Sequence, residues 1–198
     1  MPKKELSALL GWGGPVWVEQ VERGLRWLGD LTGLRVLEIG TRSGGMATLL
    51  AVRGASVMAL DVTREGFESG RATAAAHHVE DLVAFDVYSG KPEDLPTGYD
   101  VIFSKSTLVL LRDIEGAARG LSNALVPGGR LLAVENARGP LPVHVARIVR
   151  RRSLHPHGAT YFTNRSVSAI REFFDVERIR WTAVPPTVLI GAVKRGET

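Results

Sequence analysis

Between residues 35 and 134, short apolar runs alternate with stretches long enough to be helices, and this alternation constrains the fold more than any other feature. The runs are Arg35 to Ile39, Ala55 to Leu60, Leu82 to Phe85, Asp100 to Phe103 and Arg130 to Val134. Gly44 to Val52, Arg64 to His77 and Asp113 to Leu125 read as helices between them. Strands joined by helical crossovers run parallel, with helices on both faces of one sheet. The runs lack the polar alternation of a half-wet sheet, as burial on both faces requires. Near the carboxyl end the rule changes. Val176 to Val184 and Thr187 to Val193 flank Pro185-Pro186 with no room for a helix, so they pair as an antiparallel hairpin.

Ahead of the first strand, Pro15 suits a first helical position, and Val18, Val21, Leu25 and Leu28 recur at helical spacing up to Gly29-Asp30. Residues 1–32 thus form an amino-terminal helical segment. At 198 residues, 44% of them hydrophobic, the chain can bury one core, and 1–198 reads as a single domain. The absence of cysteine excludes disulfides, thiolate metal sites and cysteine nucleophiles. Met1 to Leu10 holds too short an apolar stretch for a signal peptide, and no apolar run reaches membrane-spanning length, so a cytoplasmic setting is expected. A net charge of +4 does not call for a nucleic-acid partner. The densest basic cluster is Arg147, Arg150, Arg151 and Arg152, followed by His155 and His157.

In a parallel sheet, ligands bind beyond the carboxyl ends of the strands, where the strand order reverses. Those ends carry Glu38-Ile39-Gly40, Asp61, Asp86, Ser104-Lys105 and Glu135-Asn136. An aspartate there often ends a strand or caps a helix; three carboxylates in register on the first three strands, Glu38, Asp61 and Asp86, argue for a shared ligand. The turn Gly40-Thr41-Arg42-Ser43-Gly44-Gly45 lets a ligand approach the backbone, although Arg42 stands where a middle glycine would be. Glu38 discriminates among cofactors. Within ~4 Å of a dinucleotide's pyrophosphate, a carboxylate would oppose each charge by about 4 kcal/mol at a surface-like dielectric. S-adenosylmethionine (SAM) has no phosphate and brings an ammonium and a sulfonium instead. Asp61 follows Gly40 by 21 residues, the spacing at which an acid meets ribose hydroxyls.

Over residues 33 to 194 the chain resembles class I SAM-dependent methyltransferases. Their first motif, acidic-x-Gly-x-Gly-x-Gly, is matched by Glu38-Ile39-Gly40-Thr41-Arg42-Ser43-Gly44 with the central glycine replaced. The second-strand acid matches Asp61, the third-strand acid matches Asp86, and the fourth-strand motif matches Tyr99 to Ser104. The Pro-Gly-Gly turn matches Pro127-Gly128-Gly129. The resemblance implies an α/β fold: a Rossmann-like, seven-stranded, mostly parallel sheet with an antiparallel carboxy-terminal hairpin strand. It implies SAM as cofactor, contacted by Glu38, Gly40, Thr41, Arg42, Ser43, Gly44, Asp61, Val62, Asp86, Val87 and Ser104.

Methyl transfer from a sulfonium needs an aligned nucleophile more than covalent help, and alignment supplies about 7–11 kcal/mol. A hydroxyl acceptor gains from a base; Lys105, His155 and His157 are the candidates. Two loop histidines without an acidic partner do not make a metal site, and none is expected. Residues 138–162 form an insertion that, in this family, commonly contributes to the acceptor pocket. Its arginines end a solvated helix, clamp a carboxylate or phosphate, or meet an anionic membrane surface. Tyr161-Phe162 either fills core or lines the pocket. The expected function is methylation of a small-molecule O or N acceptor, anionic or lipid-like, in a biosynthetic or tailoring pathway. Nothing after Phe103 resembles the Asn-Pro-Pro-Tyr sequence of amino-methylating nucleic-acid enzymes. The alternatives are an RNA methyltransferase using Arg147 to Arg152, and a non-catalytic SAM-binding protein.

Overall fold

The computed structural model describes residues 3–10, 14–140, 142–143 and 160–196. Helices α1 (Lys3–Leu10) and α2 (Gly14–Leu28) precede β1 (Arg35–Ile39). Then come α3 (Gly45–Val52), β2 (Ser56–Asp61), α4 (Phe67–Ala76), β3 (Val83–Val87) and β4 (Tyr99–Lys105). The last elements are α5 (Ile114–Ala124), β5 (Leu125–Asn136), α6 (Asn164–Arg171), β6 (Phe174–Ala183) and β7 (Pro186–Lys194). All seven strands join one sheet in the order β3-β2-β1-β4-β5-β7-β6. β1 to β5 pair in parallel, and β7 runs antiparallel to both β5 and β6. This is the expected α/β sheet. Its strand order reverses between β1 and β4, which leaves the crevice at their carboxyl ends.

Because strand side chains alternate between faces, the sheet carries two core layers. Val36, Val57, Val101, Phe103 and Leu132 pack with Leu9, Trp17, Val21, Leu25 and Leu49 from α1, α2 and α3. Leu37, Ile39, Leu60, Ile102 and Leu131 pack with Leu121, Val167 and Ile170 from α5 and α6. Burying one such leucine or valine stabilises the fold by about 1.5–3 kcal/mol. α3 is buried from Gly45 to Ala51, since it lies against the sheet and also meets α1 and α4.

Three features differ from the sequence reading or add to it. Residues 3–10 form a helix of their own, with Leu6, Leu9 and Leu10 buried in the first layer. The Pro-Gly-Gly turn lies inside β5: Tyr99 pairs with Leu125 and Val101 with Arg130, so residues 126–129 bulge out of the ladder around Gly128 at φ 72°. Phe162 is core, and it bridges to Ala137, so the described ends of the 138–162 insertion lie side by side. Most of the helix expected from Pro140 to Arg152, the arginines from Arg147 to Arg152, and both His155 and His157 lie outside the described residues. Among the described residues no helix is long and apolar enough to cross a membrane, and no cluster of His, Asp and Glu could hold a metal.

Candidate active site

A cleft of about 910 Å³ opens at the carboxyl ends of β1, β2 and β4. Beyond β1 the chain turns at Gly40, φ 77°, where an added Cβ would fall 2.0 Å from Thr107 Oγ1. Only glycine lets the loops after β1 and β4 touch there. Arg42 follows at φ 53°, a left-handed conformation that glycine would adopt without strain. For arginine this costs about 1–2 kcal/mol. The backbone is pinned there: Arg42 N–H donates to Asp61 Oδ2 at 2.8 Å, and Val62 N–H donates to Oδ1 at 2.8 Å. Each Asp61 oxygen keeps a further acceptor site, so the carboxylate can receive two hydroxyls at once.

Glu38, buried at the end of β1, accepts Thr41 Oγ1–H at 2.7 Å. Burial pushes its carboxyl up to about 7, opposed by the Thr41 hydrogen bond and the Lys105 charge. Lys105, at the end of β4, donates to the Leu10 carbonyl at 3.0 Å, with its ammonium 5.9 Å from the centre of the Trp17 ring. Burial lowers it to about 8 against the attraction of Glu38, and the nearby Arg42 charge lowers it further. On the opposite face of the sheet, Glu135 Oε1 accepts Ser104 Oγ–H at 2.8 Å and the N–H groups of Thr107 and Leu108 at 3.3 and 3.2 Å. Val109 N–H reaches Oε2 at 3.4 Å. This wholly buried carboxyl, also raised to about 7 by burial, anchors the loop that carries the cleft residues Ser106, Thr107, Leu110 and Leu111.

Of the residues expected from sequence, Glu38, Gly40, Thr41, Arg42, Ser43, Asp61, Val62 and Lys105 border this cleft. Gly44, Asp86, Val87 and Ser104 do not. A Cβ on Gly44 would meet Gly70 Cα at 2.7 Å and the Phe85 ring at 2.8 Å, so this glycine serves the packing of α3 on α4 and β3. Ser104 precedes Lys105 in β4 and therefore faces the other layer, where Glu135 holds it. Asp61 pairs with Val87, which leaves Asp86 one step out of register; Asp86 accepts its own neighbour's Val87 N–H and lines a separate hollow of about 250 Å³ with Arg64, Glu68 and Arg71. Tyr88 and Gly90, just past β3, take the cleft positions expected of Asp86 and Val87. The sequence reading also missed Leu9, Leu10, Ser106, Thr107 and Leu110. The Leu9-Leu10 pair ahead of a glycine-rich stretch was the available signal for α1.

A family profile described as a methyltransferase domain matches residues 37–131, from β1 through the first residues of β5 after its bulge. Over 166 residues the chain is 30% identical to a ubiquinone biosynthesis O-methyltransferase of Xanthomonas oryzae pv. oryzae, covering 78% of this chain and 64% of that one. The chain carries a methyltransferase domain similar to that of SAM-dependent methyltransferases. A ribosomal RNA small subunit methyltransferase C of Chromohalobacter salexigens is 37% identical over 121 residues, 58% of this chain and 35% of the relative. The chain thus spans about half the length of the curated relatives it matches, from 35% to 64%. In fold, the methyltransferase domain resembles a geranyl diphosphate methyltransferase in complex with SAM at a TM-score of 0.73 and 16% identity, covering 89% of this chain and 85% of that one. It likewise resembles the magnesium protoporphyrin IX methyltransferase of Synechocystis with bound SAH at a TM-score of 0.71 and 18% identity, covering 97% and 94%.

The residues present fit the family's cofactor. Glu38 lies beside the start of α3, where a dinucleotide phosphate would bind, and gives the cleft a negative charge next to its ligand. Asp61 offers two acceptors suited to a vicinal diol. Val62 and Leu110, 55% and 47% exposed although apolar, present surface that a flat ring would cover.

Proposed function

We propose that this chain binds SAM in the cleft and passes its methyl group to an oxygen or nitrogen of a small-molecule acceptor. The supporting observation is the buried carboxylate of Glu38 beside the start of α3, where it would repel the phosphate of a dinucleotide. Asp61 then holds the ribose hydroxyls, and Val62 and Tyr88 border the adenine. When bound, SAM supplies a methyl group already activated on positively charged sulfur. What is left for the protein is alignment and exclusion of water, and alignment alone is worth about 7–11 kcal/mol. Leu9, Leu10, Leu110 and Leu111 give the cleft its apolar walls.

The acceptor enters beside the 138–162 insertion. Thr160 N–H donates to the Val109 carbonyl at 2.6 Å, so the insertion returns to the chain one residue before the cleft residue Leu110. The arginine-rich sequence of that insertion favours an anionic or lipid-like acceptor. A cytoplasmic setting and one catalytic unit over 1–198 complete this reading.

A thermal-shift comparison of SAM, its demethylated product and NAD tests it. SAM at about 100 times its dissociation constant stabilises the fold by roughly 2.7 kcal/mol. Stabilisation by NAD alone overturns the proposal. Turnover of SAM with cell extract as acceptor source separates an enzyme from a non-catalytic SAM-binding protein. The likeness to a ribosomal RNA methyltransferase supports a second reading, in which the acceptor is RNA. Affinity for RNA that falls steeply with salt would favour it over a small molecule.

A further inference from the structure

We propose that Ser106, held by Asn136, is the hydrogen-bond donor that orients the methyl acceptor through an oxygen lying beside its reacting atom. The inference rests on the small-molecule reading above and narrows it to acceptors that carry a hydrogen-bond-accepting oxygen next to the atom methylated.

Ser106 borders the cleft at φ 59°, a left-handed conformation that strains serine and would not strain glycine. Residues persist in such conformations where their surroundings fix them, and these positions gather at ligand sites. Two contacts fix this one: its N–H donates to the Val134 carbonyl at 2.9 Å, and the Asn136 amide donates to its Oγ. Asn136 stands opposite Thr187 in the ladder of β5 and β7, and its carbonyl accepts the Phe162 N–H where the insertion returns. The pair therefore lies on the β4 and β5 side of the sheet, next to both described ends of the 138–162 insertion, whereas Asp61, Val62 and Tyr88 line the cleft on the β2 and β3 side. A hydroxyl has one proton to donate and two lone pairs. Of the threonine hydroxyls bordering the cleft, that of Thr41 donates to Glu38 and that of Thr107 to the Lys105 carbonyl at 3.3 Å. Through Nδ2, Asn136 occupies a lone pair of Ser106 and leaves its proton to be donated; among the described residues no acceptor takes it. The accepted N–H also polarises the O–H and strengthens it as a donor. Leu9, Leu10, Leu110 and Leu111 make the cleft's walls apolar, and against such walls one placed donor sets the orientation of a ligand.

The low-mass fraction of a cell extract supplies the acceptor for the test, with S-adenosylhomocysteine release from SAM as the readout. At limiting extract, Ser106→Gly should slow release by about tenfold, the range of one hydrogen bond to a polar ligand oxygen, while calorimetric affinity for S-adenosylhomocysteine stays within about threefold. Because glycine suits φ 59°, the melting temperature should change little. Asn136→Asp keeps the shape of the side chain but, when ionised, only accepts; it should draw the Ser106 proton to itself and slow release by a similar factor, again without loss of S-adenosylhomocysteine affinity. Ser106→Gly decides the matter if Asn136→Asp does not fold. Unchanged release in either folded variant, or a loss matched by an equal loss of S-adenosylhomocysteine affinity, overturns the proposal. No release by wild-type protein with that fraction would instead remove the small-molecule reading itself.

Discussion

Asp61 does two jobs with one carboxylate. It accepts the N–H groups of Arg42 and Val62 and so fixes the loop after β1, and its remaining lone pairs face a ligand. Asp61→Ala should therefore raise the dissociation constant for SAM by about 100-fold, the loss of two charge-assisted hydrogen bonds, with only a modest fall in melting temperature, because water can reach the two N–H groups it releases. Calorimetry with S-adenosylhomocysteine checks it, and an unchanged affinity would place the ribose elsewhere. Glu135 is the contrasting case, because it touches only protein. Glu135→Ala strands Ser104 Oγ and three backbone N–H groups in a dry site, so stability should fall by about 3 kcal/mol or more. Glu135→Gln, which keeps an acceptor oxygen, should lose much less in the same denaturant titration. Asp61 was legible in the sequence because its spacing from Gly40 is set by one crossover. Ser104 and Asp86 were not, since the parity of a strand residue depends on register, and register is fixed by pairing rather than by local sequence.

At the scale of elements, the crossovers were legible because a buried parallel strand and an amphipathic helix have different periods, 2.0 and 3.6. The hairpin of β6 and β7 was legible from Pro185-Pro186. What could not be read is which helix approaches which. Gly44 and Gly70 bring α3 and α4 together, and Gly45 does the same for α1: a Cβ there would come within 1.9 Å of the Leu9 carbonyl oxygen. The obstacle is backbone, which cannot rotate aside, so Gly45→Val must push α1 off α3. The expected outcome is a loss of about 1–3 kcal/mol in stability, the range for overpacking, together with faster hydrogen exchange across residues 3–10. Because Leu9 and Leu10 wall the cleft, the same variant should weaken SAM binding without touching any polar contact. Unaltered exchange in residues 3–10 would mean that α1 docks by its leucines alone.

Across the whole molecule, the sheet buries a carboxyl on each face beside the point where the strand order reverses: Glu38 towards α3, and Glu135 towards the loop after β4. Burial lifts both from 4.5 to about 7, so the folded chain binds protons more tightly than the unfolded one between those values. Stability present below pH 4.5 is then lost as pH rises towards about 7, with a slope of up to about 1.4 kcal/mol per pH unit for each group. Lys105 acts in the other direction. Lowered from 10.5 to about 8, it gives up its proton more readily when folded, so stability is regained between about pH 8 and 10.5. The ligand-free domain should be least stable near pH 7–8. A cationic ligand reverses the sign at Glu38, because it favours the ionised carboxylate; SAM affinity should rise between pH 5 and 7.5 while the melting temperature of the free protein falls. The two carboxyls can be told apart: Glu38→Gln should flatten the pH dependence of affinity, whereas Glu135→Gln should flatten only part of that of stability. A melting temperature that stays level from pH 5 to 7.5 in the free protein would mean that neither carboxyl is as dry as its surroundings require, and the electrostatic case for a cationic ligand would lose its footing.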